Sequence, residues 1–253
     1  MVIHAGEPAA PRHLHEAFEA IEGAADAPVF LTCEHASERL PAGWSWPARD
    51  RRLVGTHWAF DPGAAELTAE LAAALRAPAV LSRFSRLLVD PNRPADSDTL
   101  FRAEAEGEPV ELNRDLSDAE RRTRLERFHR PYHEAIDQRL AGHGAKVVFS
   151  IHTFTPIYEG QVRQVEVGVL FDTQEALAVA LAERIARAGF RTALNEPWSG
   201  RAGLIYAAER HAGAHGRKAL ELEVRQDLAV RPEVRTRLVE VLAAFFRRGT
   251  EER

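Results

Sequence analysis

Three short apolar runs in this chain each stop at a residue able to hold a metal ion or carry a proton. Val147, Val148, Phe149 and Ile151 are β-branched or aromatic and predict a buried strand, and His152 stands at its end. Pro28-Val-Phe-Leu-Thr32 leads into Cys33, Glu34 and His35 in the same way. Ala219-Leu-Glu-Leu222 leads into Glu223 and Arg225. In open α/β sheets, ligands bind at the carboxyl ends of the strands. Any one of these residues also serves as an ordinary hydrogen-bonding strand terminus. Two imidazoles and a carboxylate at three such ends outline a metallohydrolase site.

Two further segments carry candidate groups. Asp61 precedes Pro62 and the apolar stripe Leu67, Leu71, Leu75, so it fits a helix N-cap. The functional alternative is that its carboxylate points at the two histidines. Asn92-Arg93 follows an apolar run and offers amide donors and a guanidinium fork, a good fit to a substrate carboxylate. Cys33, the single cysteine, excludes an intrachain disulfide and reads as a buried structural thiol.

The elements that must position these groups alternate. Strands are expected at 28–32, 79–81, 87–89, 147–151, 165–171, 191–194 and 218–224. Helices are expected at 13–21, 64–75, 117–140, 174–188, 204–210 and 232–247. Ser117 with Glu120 forms a capping-box pattern. His129 and His133 lie four apart without the acid of a His-Glu-x-x-His motif, so they read as supporting or surface histidines. Residues 1–11 show no periodicity. Residues 95–116 are polar and irregular, long enough for a lid or binding loop. The alternation predicts a three-layer α/β/α sandwich with a mostly parallel mixed sheet. One domain is expected over residues 1–253, with 1–26 an N-terminal extension holding the short first helix.

Composition excludes several classes. Hydrophobic residues make up 45% and charged residues 28% of 253, and the formal net charge is −5, so no polyanion-binding surface is indicated and no nucleic-acid partner is expected. No stretch reaches the ~20 consecutive apolar residues a bilayer span needs. The acidic N-terminal segment is unlike a signal peptide, and a cytoplasmic protein is the expectation.

Five motifs occur in order: Cys-Glu-His-Ala-Ser (33–37), His-x-Ala-x-Asp-x-Gly-Ala (57–64), Ser-Arg-Leu-Leu-Val-Asp-x-Asn-Arg (85–93), Ser-Ile-His-Thr-Phe (150–154) and Leu-Glu-Val-Arg-Gln-Asp-Leu (222–228). Together they resemble the N-formylglutamate amidohydrolase family over about residues 28–230. Ser-Ile-His-Thr-Phe is also similar to the segment bearing the last zinc ligand of the zinc carboxypeptidases. The resemblance implies the phosphorylase/hydrolase-like fold they share. It also implies one Zn2+ ion and hydrolysis of an N-acylated amino acid. Its implied ligands are His35, His152 and an acid, Asp61 preferred over Glu38; Glu38 stands at the His-x-x-Glu spacing of the carboxypeptidases. Glu223 is implied as general base. Asn92 and Arg93 are implied to bind the substrate carboxylate, with Arg86 and Arg225 as further carboxylate or oxyanion partners.

Overall fold

The computed structural model describes residues 10–158 and 160–248. An eight-stranded mixed, mostly parallel sheet forms its middle layer. In chain order the elements are β1 (Arg12–Leu14), β2 (Phe18–Ile21), β3 (Val29–Cys33), α1 (Ala64–Leu75), β4 (Ala79–Ser82), β5 (Glu104–Ala105) and β6 (Glu108–Pro109). Next come α2 (Asp118–Arg124), α3 (Arg130–Leu140), β7 (Val147–Phe154), β8 (Ile157–Tyr158), β9 (Gln161–Val162), β10 (Val167–Leu170) and α4 (Glu175–Arg187). The chain ends through β11 (Thr192–Leu194), α5 (Tyr206–Ala214), β12 (Lys218–Arg225), α6 (Gln226–Ala229) and α7 (Pro232–Arg248). The sheet order is β1-β2-β4-β3-β7-β12-β10-β11, with β4, β3, β7 and β12 mutually parallel.

The period of two along the central strands sorts their side chains between two helical layers. Val29, Leu31, Phe149, Ile151, Leu220 and Leu222 pack in one core with Leu67 and Leu71 of α1 and Leu238 and Leu242 of α7. Phe30, Val148 and Ala219 face the other way, into a core with Phe128, Tyr132 and Ile136. Ser150, His152, Glu221 and Glu223 share the parity of this second face. Its apolar packing therefore gives way to buried polar groups toward the strand ends.

Several expected elements differ. The helix expected at 13–21 is the β1–β2 hairpin, whose β2 pairs antiparallel with β4. There Phe18 and Ala20 pack on one side and Ile21 on the other, while Leu14 is 60% exposed. Residues 87–89 form no strand. Leu87, Leu88 and Val89 are buried, but their turn is pinned by Leu87 N–H to Ser85 Oγ (3.2 Å) and Leu88 N–H to Ser85 O (2.9 Å). The helix expected at 117–140 is α2 and α3 joined by a π turn over Leu125–His129, and Ser117 Oγ does accept from Glu120 N–H. Residues 95–116 are tied down by the buried Arg124, which donates to Leu88 O, Leu112 O and Asn113 Oδ1. Of the expected lead-in at 1–11, residues 1–9 lie outside the described residues.

Gly63, not Asp61, is the N-cap of α1. Its φ of 86° suits glycine, and a Cβ there would stand 2.6 Å from the Ala229 carbonyl. No helix among the described residues is long and apolar enough to cross a membrane.

Candidate active site

Parallel pairing of β3, β7 and β12 brings three strand ends side by side. His152 lies opposite Glu223, and Ser150 opposite Glu221. His35 follows β3, and its carbonyl accepts the Asp61 N–H at 2.9 Å, which folds the turn before α1 over the strand end. The donor atoms of His35, Asp61 and His152 all lie within 4.8 Å of one another, and all three residues are buried. Asp61 Oδ2 is 2.9 Å from His152 Nδ1 and 3.4 Å from His35 Nδ1.

The outer nitrogens decide what the inner ones can do. His35 Nε2 stands 2.7 Å from Asp90 Oδ1, and His152 Nε2 stands 2.9 Å from Glu34 Oε2. An ionised carboxylate only accepts, so each Nε2 donates outward, and a metal held between the two Nδ1 atoms and Asp61 would take the place of any proton on them. His35 Nδ1 has no hydrogen-bond partner. Two imidazole lone pairs and a carboxylate oxygen, with carboxylates behind both histidines, form the donor set of a divalent metal such as zinc. The residues fit the ion.

Charge around this floor is dense. Glu34 is fully buried, yet its carboxyl is lowered to about 2: burial is outweighed by hydrogen bonds from His152 and Ser150. His152 is raised well above the usual imidazole range, because Glu221, Asp61 and Glu34 outweigh burial. Burial pushes Glu221 up to about 7 and Glu223 well above the carboxylate range, each helped by neighbouring carboxylates. Glu221 Oε2 and Glu223 Oε2 are buried without a hydrogen-bond partner, Glu221 Oε2 standing 3.5 Å from His152 Nε2. Arg86 spans Asp90 (3.0 Å) and Asp61 (3.6 Å), tying the carboxylate behind His35 to the one in front of it. His35, Asp61, Arg86, His152, Glu221 and Glu223 open onto a pocket of about 280 Å³.

A model of N-formylglutamate amidohydrolases matches residues 27–230. The chain belongs to the N-formylglutamate amidohydrolase family. The structure of a gene product of Agrobacterium tumefaciens is 30% identical, with a TM-score of 0.83 over 94% of this chain and 96% of that one. An N-formylglutamate amidohydrolase from Ralstonia eutropha is 19% identical, with a TM-score of 0.70 over 93% of this chain and 100% of that one; at that identity the likeness is one of fold. No curated protein sequence matches the chain.

In this amidohydrolase-family chain, the pocket lining includes His35, Asp61, Arg86, Asn92, Arg93, His152 and Glu223 of the sequence-predicted residues. Asn92 is engaged on both sides of its amide: Oδ1 accepts from Ala207 N–H (3.0 Å) and Nδ2 donates to Leu204 O (3.4 Å). Arg225 is not brought into the lining. Asp227 holds its guanidinium at 2.7 and 3.1 Å, and its Nη1 donates to Arg163 O. Glu38 points to Gly55 N–H and is not part of the His-Asp-His cluster. His129 and His133 are buried, not at the surface. His129 Nε2 meets Arg93 O (2.9 Å), and His133 Nδ1 meets His211 Nε2 (2.9 Å).

Sequence reasoning assigns no role to Glu34 and Asp90, the carboxylates behind the histidines. Glu34 and Asp90 stood inside the quoted motifs, each an acid beside a candidate site residue or one removed from it. That was the available signal.

Proposed function

We propose that this chain is a zinc-dependent amidohydrolase that cleaves the N-formyl amide of an amino acid such as N-formylglutamate. Membership of the N-formylglutamate amidohydrolase family supports the reaction class. The observation that carries the reading is the convergence of His35 Nδ1, His152 Nδ1 and Asp61 beside the partnerless carboxylate of Glu223. His35, Asp61 and His152 would hold the ion, which when bound would supply Lewis acidity to polarise the amide carbonyl and acidify water.

The chain's own groups do the rest. Glu223 accepts the proton of the attacking water and returns it to the leaving amine nitrogen, so the carbon–nitrogen bond breaks without expelling an amide anion. Arg93 grips the α-carboxylate of the amino acid through guanidinium N–H groups that no carboxylate among the described residues occupies. Asp90 and Glu34 fix the two histidine rings. Arg86 restrains Asp61 and Asp90 and faces the pocket, where it is placed to stabilise the developing oxyanion.

A screen of N-formyl and N-acetyl amino acids with zinc present tests this reading. Release of formate with turnover is the expected result. A zinc-loaded protein inert toward every member of the panel contradicts it.

A further inference from the structure

The turn that carries Arg93 is fastened from two sides by side chains the reaction itself does not use. Within the turn, Asn92 N–H donates to Asp90 Oδ1 at 2.9 Å and Arg93 N–H donates to Asp90 O at 3.2 Å. The Asn92 amide ties one side to the start of α5, through Ala207 N–H and Leu204 O. On the other side, at the start of α3, His129 Nε2 stands 2.9 Å from Arg93 O. A carbonyl only accepts, so this nitrogen carries the hydrogen and donates it.

The Arg93 guanidinium folds back on the same turn. Its Nη1 donates to Asn92 O at 2.7 Å, and its Nε donates to Thr99 Oγ1 at 3.2 Å. The backbone at 92–93 therefore sets where its remaining N–H groups point, on a residue that lines the pocket. His129 grips the next carbonyl along that backbone.

His129 is itself firmly mounted. It closes the π turn Leu125–His129, in which Arg130 N–H donates to Leu125 O. Single π turns inside helices are uncommon and recur at functional sites. The His129 ring centroid lies 4.4 Å from that of His133. His133 Nδ1 stands 2.9 Å from His211 Nε2, and His211 Nδ1 stands 2.7 Å from Asp137 Oδ1. Ionised Asp137 takes the hydrogen of His211 Nδ1, which leaves Nε2 to accept from His133. His215 and Arg210 meet the same carboxylate at 3.1 and 3.5 Å. This chain of buried imidazoles locks α3 to α5, the two helices between which the turn is held.

Resting on the amidohydrolase reading with Arg93 as its carboxylate grip, we propose that His129 is a positioning residue: by holding the Arg93 carbonyl it fixes the turn that aims the guanidinium, and so sets the affinity for substrate. It touches no reacting atom. Its effect is carried by KM, because Arg93 holds the carboxylate alike in the ground and transition states.

Steady-state kinetics on the best substrate of the N-formyl amino-acid panel, with zinc content measured alongside, test the assignment. An asparagine at 129 is too short to place a donor where Nε2 stands, whereas a glutamine reaches it. His129→Asn should raise KM about 5- to 20-fold, the cost of one buried hydrogen bond, with kcat within about 2-fold and zinc retained. His129→Gln should stay within about 3-fold of the wild-type KM, because the donor is kept. In an Arg93→Ala background, His129→Asn should change KM by less than about 2-fold, since the group it acts through is gone. A merely structural role gives the same fold-change with and without Arg93. That outcome, an unchanged KM in His129→Asn, or a raised KM in His129→Gln overturns the proposal and leaves the amidohydrolase reading standing. A wild-type enzyme inert toward the whole panel ends that reading and this proposal with it.

Discussion

His152 and Glu34 meet at 2.9 Å, Nε2 to Oε2, and this contact aims the opposite nitrogen of the ring at Asp61. His35 repeats the arrangement with Asp90 at 2.7 Å. Both rings are thus fixed from behind. Glu34→Gln keeps the volume and removes the charge that raises the basicity of His152, so zinc affinity should fall about 10- to 100-fold. Competition against a chromogenic chelator measures it. Affinity within a factor of two of wild type excludes the role.

Glu223 and Glu221 share one face of β12 and both line the pocket, so only kinetics separates them. Glu223→Gln should keep zinc and KM while lowering kcat by about 10²- to 10⁴-fold, the usual cost of lost proton transfer. Glu221 stands 3.5 Å from His152 Nε2, so Glu221→Gln should alter metal affinity more than turnover. The reverse pattern transfers the base to Glu221.

The sequence made much of this site legible, for an identifiable reason. Strands with both faces buried read as continuous apolar runs, so residues 28–32 and 147–151 stood out along with the histidines at their ends. Edge strands carry no such signal. Leu14, Phe18 and Ile21 satisfy a helical spacing as well, and only the free edge of β4 makes that segment a hairpin. Residues 87–89 are apolar because the fold closes around them, while their turn is set by Ser85. Glu34 and Asp90 were visible as acids. Which imidazole nitrogen each holds depends on β3 lying between β4 and β7, which local spacing does not encode.

Three buried histidines make stability depend on pH. Burial lowers His129, His133 and His211 below the ordinary imidazole value of 6.5. Their depressed folded pKa values mean that the unfolded chain binds the extra protons. Stability is therefore fully present above about pH 6.5 and is lost as pH falls below it, at up to about 1.4 kcal/mol per pH unit for each group. In urea unfolding of chelator-treated protein between pH 7 and 5, His133→Leu should show a shallower pH slope than wild type. Equal slopes contradict the assignment.

Arg124 is 2% exposed and supplies the donors for Leu88 O, Leu112 O and Asn113 Oδ1, joining 83–95 to 103–116. Arg124→Met leaves those acceptors unsatisfied. It should destabilise the fold by about 3 kcal/mol or more, at roughly 1–3 kcal/mol per buried unpaired group. Urea denaturation measures the change, and a loss under about 1 kcal/mol excludes this anchoring role.

The zinc content of the purified protein, read by elemental analysis beside formate release, bears most directly on the metal site. Wild type and Glu38→Ala should each hold one zinc per chain and hydrolyse N-formyl substrate. Asp61→Ala and His152→Ala should hold none and release no formate. Stoichiometric zinc in His152→Ala, or full hydrolysis by chelator-treated wild type, contradicts the account.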